Sequence, residues 1–236
     1  MGHPSDWDEV RLLLSQTGFD FETNSVEIQP HAHWQANLEQ LARAIDGRSI
    51  VIGYSMGARL SLGLALEFPE KVAGLVFVSG NPGLRSASER DRRWQADQRI
   101  AEQLQTQPLD VFLKNWYQQS VFASAPAKIL EAETERKISR SDADWPEILR
   151  GASVAKQPNY WPRLKELSMP TLIIAGENDE KYQGFAVQIG KECSAPNLKC
   201  EVVPDCGHLV HRQAPEALVR IIGEFLTNNA DDADLG

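Results

Sequence analysis

Gly53-Tyr54-Ser55-Met56-Gly57 fits G-x-S-x-G, a spacing that can present a serine hydroxyl for chemistry. On a sharp turn between a strand and a helix, Ser55 takes strained backbone angles and exposes its Oγ at the C-terminal end of a sheet. Glycines on either side relieve crowding at such a turn. A serine hydroxyl at neutral pH needs a base, and histidine is the usual one. The candidates are His3, His31, His33, His208 and His211. His208, in Pro204-Asp-Cys-Gly-His208, is the base that the chain order Ser…Asp…His favours. His211 is its nearest competitor and otherwise reads as a loop or helix-cap side chain. An acid must hold the imidazole tautomer and stabilise its cation. Asp179, in Ala175-Gly-Glu-Asn-Asp179, follows a buried strand and fits that task; Asp205 shares a tight loop with His208 and reads as a turn former. The Met56 N–H, next after the serine, supplies one oxyanion donor.

These residues meet only if a parallel sheet brings their loops to one edge. Ser49–Tyr54 is a continuous apolar run, the pattern of a parallel strand buried on both faces. Met56–Phe68 predicts a helix stopped by Pro69, and Val72–Ser79 a second buried strand. Strand, helix and strand in that order imply right-handed parallel crossovers. Pro170 opens a third strand, Thr171–Ala175, and Lys199–Val203 is the last. Helices are predicted over Asp6–Gln16, Trp34–Ile45, Glu180–Glu192 and Ala214–Leu226, and Ser25–Ile28 fits a short strand. From Asn81 to Leu167 the pattern is polar, helical and strandless, an insertion of the kind that covers a site. The organisation is therefore a core over 1–80 and 168–226, a helical lid over 81–167, and an acidic, disordered tail over 227–236.

Arg59 lies one turn into the helix after Ser55, which aims it near the serine. Arg85, Arg90, Arg92, Arg93 and Arg99 crowd the start of the insertion, where the plainer reading is a solvated helix face balanced by Glu89, Asp91 and Asp97. Trp94, Trp116 and Tyr117 fit lid core or pocket wall equally.

The 236 residues suffice for one sizeable core. A net charge of -9 argues against a nucleic-acid partner but not against a small anionic substrate, because a local arginine cluster overrides the total. No apolar run is long enough to span a bilayer, and MGHPSDWDEV is no signal peptide, so a cytoplasmic protein without a membrane partner is expected. Cys193, Cys200 and Cys206 form an odd set without CxxC spacing; reduced, buried or idle thiols are expected, with no disulfide framework, metal or cofactor. Oligomeric state is not legible.

VIGYSMGAR, VSGNPGL, PLDVFLKNWYQQSVFAS, KQPNYWPRL, AGENDEKY and PDCGHLVHRQAP resemble the successive motifs of the MenH family, over about Gly2 to Leu226. GYSMGAR and GENDEKY are shared in part with other α/β hydrolases; NPGL and WYQQSVFAS, in the lid, are more specific. The resemblance implies an α/β-hydrolase fold, a mostly parallel sheet flanked by helices with a helical lid. It also implies a lyase of menaquinone or phylloquinone biosynthesis, which needs no cofactor. Pyruvate would leave 2-succinyl-5-enolpyruvyl-6-hydroxy-3-cyclohexene-1-carboxylate to give 2-succinyl-6-hydroxy-2,4-cyclohexadiene-1-carboxylate. Ser55, activated by His208 and Asp179, would take a ring proton without forming an acyl-enzyme. The substrate carboxylates would use Arg59 and Arg93, with Tyr54 and Trp116 at the pocket. Lys137, with Arg136 beside it, stands where the family has another lid arginine.

One departure is large. The family begins with a strand ending in His-Gly-Phe, followed by a stretch like Gly-His-Pro-Ser-Asp-Trp, and here only MGHPSDW remains. The family's Asp-Leu-Pro-Gly-His-Gly appears shortened as Glu27-Ile-Gln-Pro-His31-Ala-His33. The missing strand is central in the family's sheet, and its loop gives the second oxyanion donor. The resemblance therefore implies either a natural start upstream of Met1 or a form with a gap beside Ser49–Tyr54 that turns over slowly. The same triad also suits a carboxylesterase or thioesterase with Ser55 as nucleophile, or a weakly active or non-catalytic hydrolase-like protein.

Overall fold

A computed structural model describes residues 2–18, 22–29, 33–140 and 144–229. A 3-10 turn over Pro4–Trp7 leads into α1 (Asp8–Ser15), followed by α2 (Trp34–Ala44). β1 (Ser49–Tyr54), α3 (Met56–Glu67) and β2 (Val72–Val78) then form the predicted crossover. After β2 come α4 (Ala87–Thr106), α5 (Leu109–Trp116), α6 (Ala127–Arg140) and α7 (Trp145–Gly151), with no strand among the described residues. β3 (Thr171–Gly176), α8 (Glu180–Glu192), β4 (Lys199–Val203), α9 (Val210–Gln213) and α10 (Pro215–Asn228) complete the chain.

The four strands are parallel in the order β1-β2-β3-β4. Alternate residues of the central strands face opposite layers, as the pleat requires. Leu75, Phe77, Ile173 and Ala175 pack with Trp34, Leu38, Leu60, Leu64 and Ile189 of α2, α3 and α8. Val76, Val78, Leu172 and Ile174 pack with Val10 and Leu14 of α1 and with Leu218, Ile222 and Phe225 of α10. A third cluster joins lid residues Phe112, Leu113, Tyr117, Phe122 and Trp145 to Leu209 and Tyr54 of the core. The lid is thus seated on the two loops that carry His208 and Ser55.

Three expectations need correction. Ser25–Ile28 is not a strand: the Gln40 side chain, not a ladder, satisfies the Gln29 N–H and the Glu27 carbonyl. His31 lies outside the described residues. β1 is not buried on both faces; all of it but Gly53 is half-exposed, because among the described residues it is an edge strand paired only with β2. The tail does not begin at Thr227. Thr227 Oγ1 and Asn228 Nδ2 donate to the Gly223 and Glu224 carbonyls, one turn back, and α10 continues through Asn228. Residues 230–236 lie outside the described residues. Among the described residues no helix is long and apolar enough to cross a membrane.

Candidate active site

Ser55 sits between β1 and α3 with φ 51° and ψ −106°, a left-handed backbone uncommon for a side chain of its type. Its N–H donates to the Val78 carbonyl at 2.9 Å, which anchors the turn to β2. A Cβ on Gly53 would collide with Ser61 Oγ, the Gly57 carbonyl and the Ala58 amide, so α3 can lie this close to β1 only over a glycine. Gly57 differs from expectation: a Cβ there meets nothing, so it opens space beside the serine rather than relieving a clash. Gly53→Ala is therefore expected to destabilise the fold by about 1–3 kcal/mol, from overpacking against fixed backbone. Urea melts check this, with Gly57→Ala nearer to the parent.

Asp179 and His208 are brought to Ser55 by two interlocked loops. The Glu177 N–H donates to the Val203 carbonyl at 2.9 Å and the Asn178 N–H to the Cys206 carbonyl at 2.8 Å. Asp205, at φ 53°, is the turn former, and its N–H donates to Glu177 Oε2 at 2.9 Å. The result is a continuous relay: His208 Nδ1 lies 2.7 Å from Asp179 Oδ2, and His208 Nε2 lies 3.1 Å from Ser55 Oγ. Asp179 and His208 are buried. With the Nδ1 proton donated to Asp179, Nε2 is left to accept from the Ser55 hydroxyl. Met56 is the first residue of α3, so its N–H has no partner within the helix and points out of the helix N-terminus beside Ser55.

Aromatic rings and cations surround the relay. Tyr54, Tyr182 and Phe122 place their centroids 5.2, 4.5 and 6.1 Å from the His208 ring. Burial pushes the Tyr54 and Tyr182 phenols up, so both stay neutral hydrogen-bond donors. Trp116 is stacked on Phe112 at 5.9 Å and tilted on Phe122 at 6.3 Å, and Phe122 in turn faces the His208 ring. Arg59 donates to the Ala152 carbonyl at 2.8 Å and to Gln157 Oε1 at 3.2 Å, and lies 5.6 Å over the Trp34 ring. Burial, and then the Arg93 charge, lower its pKa to about 10. Burial and Arg93 likewise lower that of Lys181. Arg93 itself is exposed and paired with Asp97 at 2.8 Å, and Asp97 accepts from Ser153 Oγ at 2.5 Å.

Lys137 and Arg136 are occupied. Lys137 Nζ donates to Glu133 Oε2 at 3.0 Å, and Arg136 lies 3.3 Å from Glu133 Oε1. The other arginines follow the plainer reading: Arg85 pairs with Glu192 and covers Trp161, and Arg90 donates to the Leu84 carbonyl. Lys181 and Tyr182 escaped the sequence reading, although the spacing Asp179-x-x-Tyr182 puts both acid and ring on the first turn of α8. His211 is no cap. It is buried between Trp7 and Tyr54, with centroids 5.6 and 4.3 Å away, and its Nδ1 has no partner among the described residues.

Burial lowers the His211 pKa to about 4, against an ordinary value near 6.5. As pH falls from 6.5 towards 4 the unfolded chain takes up a proton there and the folded one does not. Stability is therefore expected to drop by about 2 kcal/mol between pH 7.5 and 5 from this group. Urea midpoints across that range read it, and His211→Phe should flatten the slope.

The alpha/beta hydrolase family matches over residues 2–221. The 2-succinyl-6-hydroxy-2,4-cyclohexadiene-1-carboxylate synthase of Serratia proteamaculans is 31% identical over 179 residues, 75% of this chain and 68% of that protein. The chain belongs to the MenH family of α/β hydrolases. The MenH structure from S. aureus superposes with a TM-score of 0.78 at 27% identity, covering 90% of this chain and 80% of that one. Protein PHYLLO, chloroplastic, from Arabidopsis thaliana is 30% identical over 218 residues, 84% of this chain and 13% of its own length. The chain spans 65% and 68% of the length of two curated bacterial relatives that it matches.

Proposed function

We propose that the chain is a carbon–oxygen lyase of menaquinone or phylloquinone biosynthesis. It would eliminate pyruvate from 2-succinyl-5-enolpyruvyl-6-hydroxy-3-cyclohexene-1-carboxylate, a small anionic carboxylate. The observation that carries this reading is the cation cluster beside the relay. The Arg93 charge disfavours the charged forms of both Arg59 and Lys181, and Arg59 makes its hydrogen bonds with neutral acceptors. Asp97 pairs with Arg93, while Arg59 is held by neutral groups, and such a cluster suits a polyanion better than a neutral acyl ester. The synthase name of the Serratia relative supports the corresponding product, 2-succinyl-6-hydroxy-2,4-cyclohexadiene-1-carboxylate.

The double bonds of substrate and product fix the bookkeeping. The substrate ring holds C3=C4, and the product ring C2=C3 and C4=C5. A proton therefore leaves C2, beside the succinyl ketone, the C3=C4 pair moves to C4=C5, and the C5–O bond breaks. Ser55 Oγ takes the C2 proton as its own passes to His208 Nε2, and Asp179 stabilises the imidazolium. The Met56 N–H and the α3 N-terminus face the developing enolate oxygen. The departing enolpyruvate carries away the electron pair and, with the proton returned by His208, becomes pyruvate. Tyr54 and Trp116 bound the pocket in this reading, with Lys137 and Arg136 as more distant cations. A cytoplasmic setting is supported by three free cysteines, of which Cys200 is exposed.

Pyruvate release and short acyl ester hydrolysis, measured on one sample, test the proposal. Elimination is expected to dominate; brisk hydrolysis without pyruvate favours the carboxylesterase or thioesterase reading, with Ser55 as nucleophile. Arg93→Ala is expected to lower kcat/KM for elimination about tenfold to a hundredfold through KM, as loss of a charge-assisted contact would. An unchanged rate removes Arg93 from the site.

A further inference from the structure

The single turn α9, just after His208, holds three sides of the site at once. His211 packs its ring on Tyr54, the residue before Ser55. The Gln213 side chain accepts from the N–H of Gly207, the residue before His208. Arg212 points to the lid: its Nε lies 2.9 Å from Glu133 Oε1 of α6, and its Nη2 donates to Asp6 Oδ1 at 3.3 Å. The Arg212 and Glu133 side chains are 7% and 3% exposed, so the pair is shut off from water. The Glu133 contact is an ion pair rather than an aligned hydrogen bond. On α6 itself, Arg136 shares the Glu133 Oε1 contact at 3.3 Å, and Lys137 Nζ donates to Oε2 at 3.0 Å.

We propose that Glu133 and Arg212 are positioning residues that lock the lid helix α6 onto α9 and thereby hold His208 at Ser55. The path is short. The Val210 N–H donates to the His208 carbonyl at 3.0 Å, so the turn starts on the base itself. A shift of Arg212 passes along that turn to His208, and through Gln213 to Gly207. If this buried pair opened, Arg212 would keep Asp6 and Glu133 would keep Lys137 and Arg136, but α6 would lose its charged tie to α9. Placement of the base thus depends on Glu133, a lid acid far from His208 in the chain. This inference rests on Ser55, His208 and Asp179 being the reacting groups, and not on which substrate they serve.

The test uses the full chain and a small fluorophosphonate, in which Ser55 Oγ attacks phosphorus and fluoride leaves. That reaction needs His208 as base but no anionic substrate. Glu133→Gln and Arg212→Met are each expected to slow labelling of Ser55 about tenfold to a hundredfold, the scale of a misplaced base. The double variant should be no slower than the slower single one, because both remove the same contact. Amide exchange in α6 should quicken in all three. If Glu133→Gln does not fold, Arg212→Lys keeps the cation without its fork and should still label slowly. Folded variants that label at the parent rate overturn the proposal and leave the pair a stabilising bridge only. His208→Ala labelling as fast as the parent would instead refute the relay itself.

Discussion

Asp179→Asn is expected to slow pyruvate release about 10⁴-fold, the loss that a Ser-His-Asp system suffers when its histidine is held in the wrong tautomer. Asp179 Oδ2 lies 2.7 Å from His208 Nδ1 and can only accept there. An asparagine can turn its NH₂ towards that nitrogen, which moves the ring proton to Nε2. Nε2 then donates towards Ser55 and cannot take its proton. The shape of the buried site is preserved, so near-UV circular dichroism should match the parent while kcat falls. A variant within tenfold of the parent would mean that another acid orients His208.

Ser55→Ala is expected to lower kcat by about 10²–10⁴-fold, the usual contribution of a positioned acid–base group, with little change in KM. The fold should survive, since Ser55 is half-exposed and its anchoring hydrogen bond is made by the backbone N–H. Residual elimination would come from the cations and the α3 N-terminus, which the substitution leaves in place. A Ser55→Ala protein with undiminished turnover would place the base elsewhere, with His208 taking the ring proton directly.

The relay was legible because each member sits where backbone rules are strict. Apolar runs mark β1, β2 and β3, and the loops after β1, β3 and β4 must emerge at one edge of a parallel sheet. Ser55, Asp179 and His208 lie on those three loops, and their side chains meet as expected. The cation cluster was only partly legible. Arg59 follows from its helical offset to Ser55, but Lys181 and Tyr182 depend on how the first turn of α8 is aimed. Glu133 and Arg212 were not legible, since nothing local ties a polar lid helix to a residue after the base. Ser25–Ile28 failed because its alternation fits an extended segment whether or not a ladder exists, and here a glutamine side chain takes the ladder's place. β1 reads as fully buried from composition, but burial depends on having neighbours on both edges, which no local pattern encodes.

The central claim is that the Ser55–His208 pair removes the C2 proton and so expels pyruvate. Its most direct test is a competition between 2-succinyl-5-enolpyruvyl-6-hydroxy-3-cyclohexene-1-carboxylate and the same compound deuterated at C2, with pyruvate and leftover substrate quantified together. The expected result is pyruvate above the buffer control, with deuterium enriched in the substrate that remains. No pyruvate, or pyruvate formed without enrichment, would contradict it.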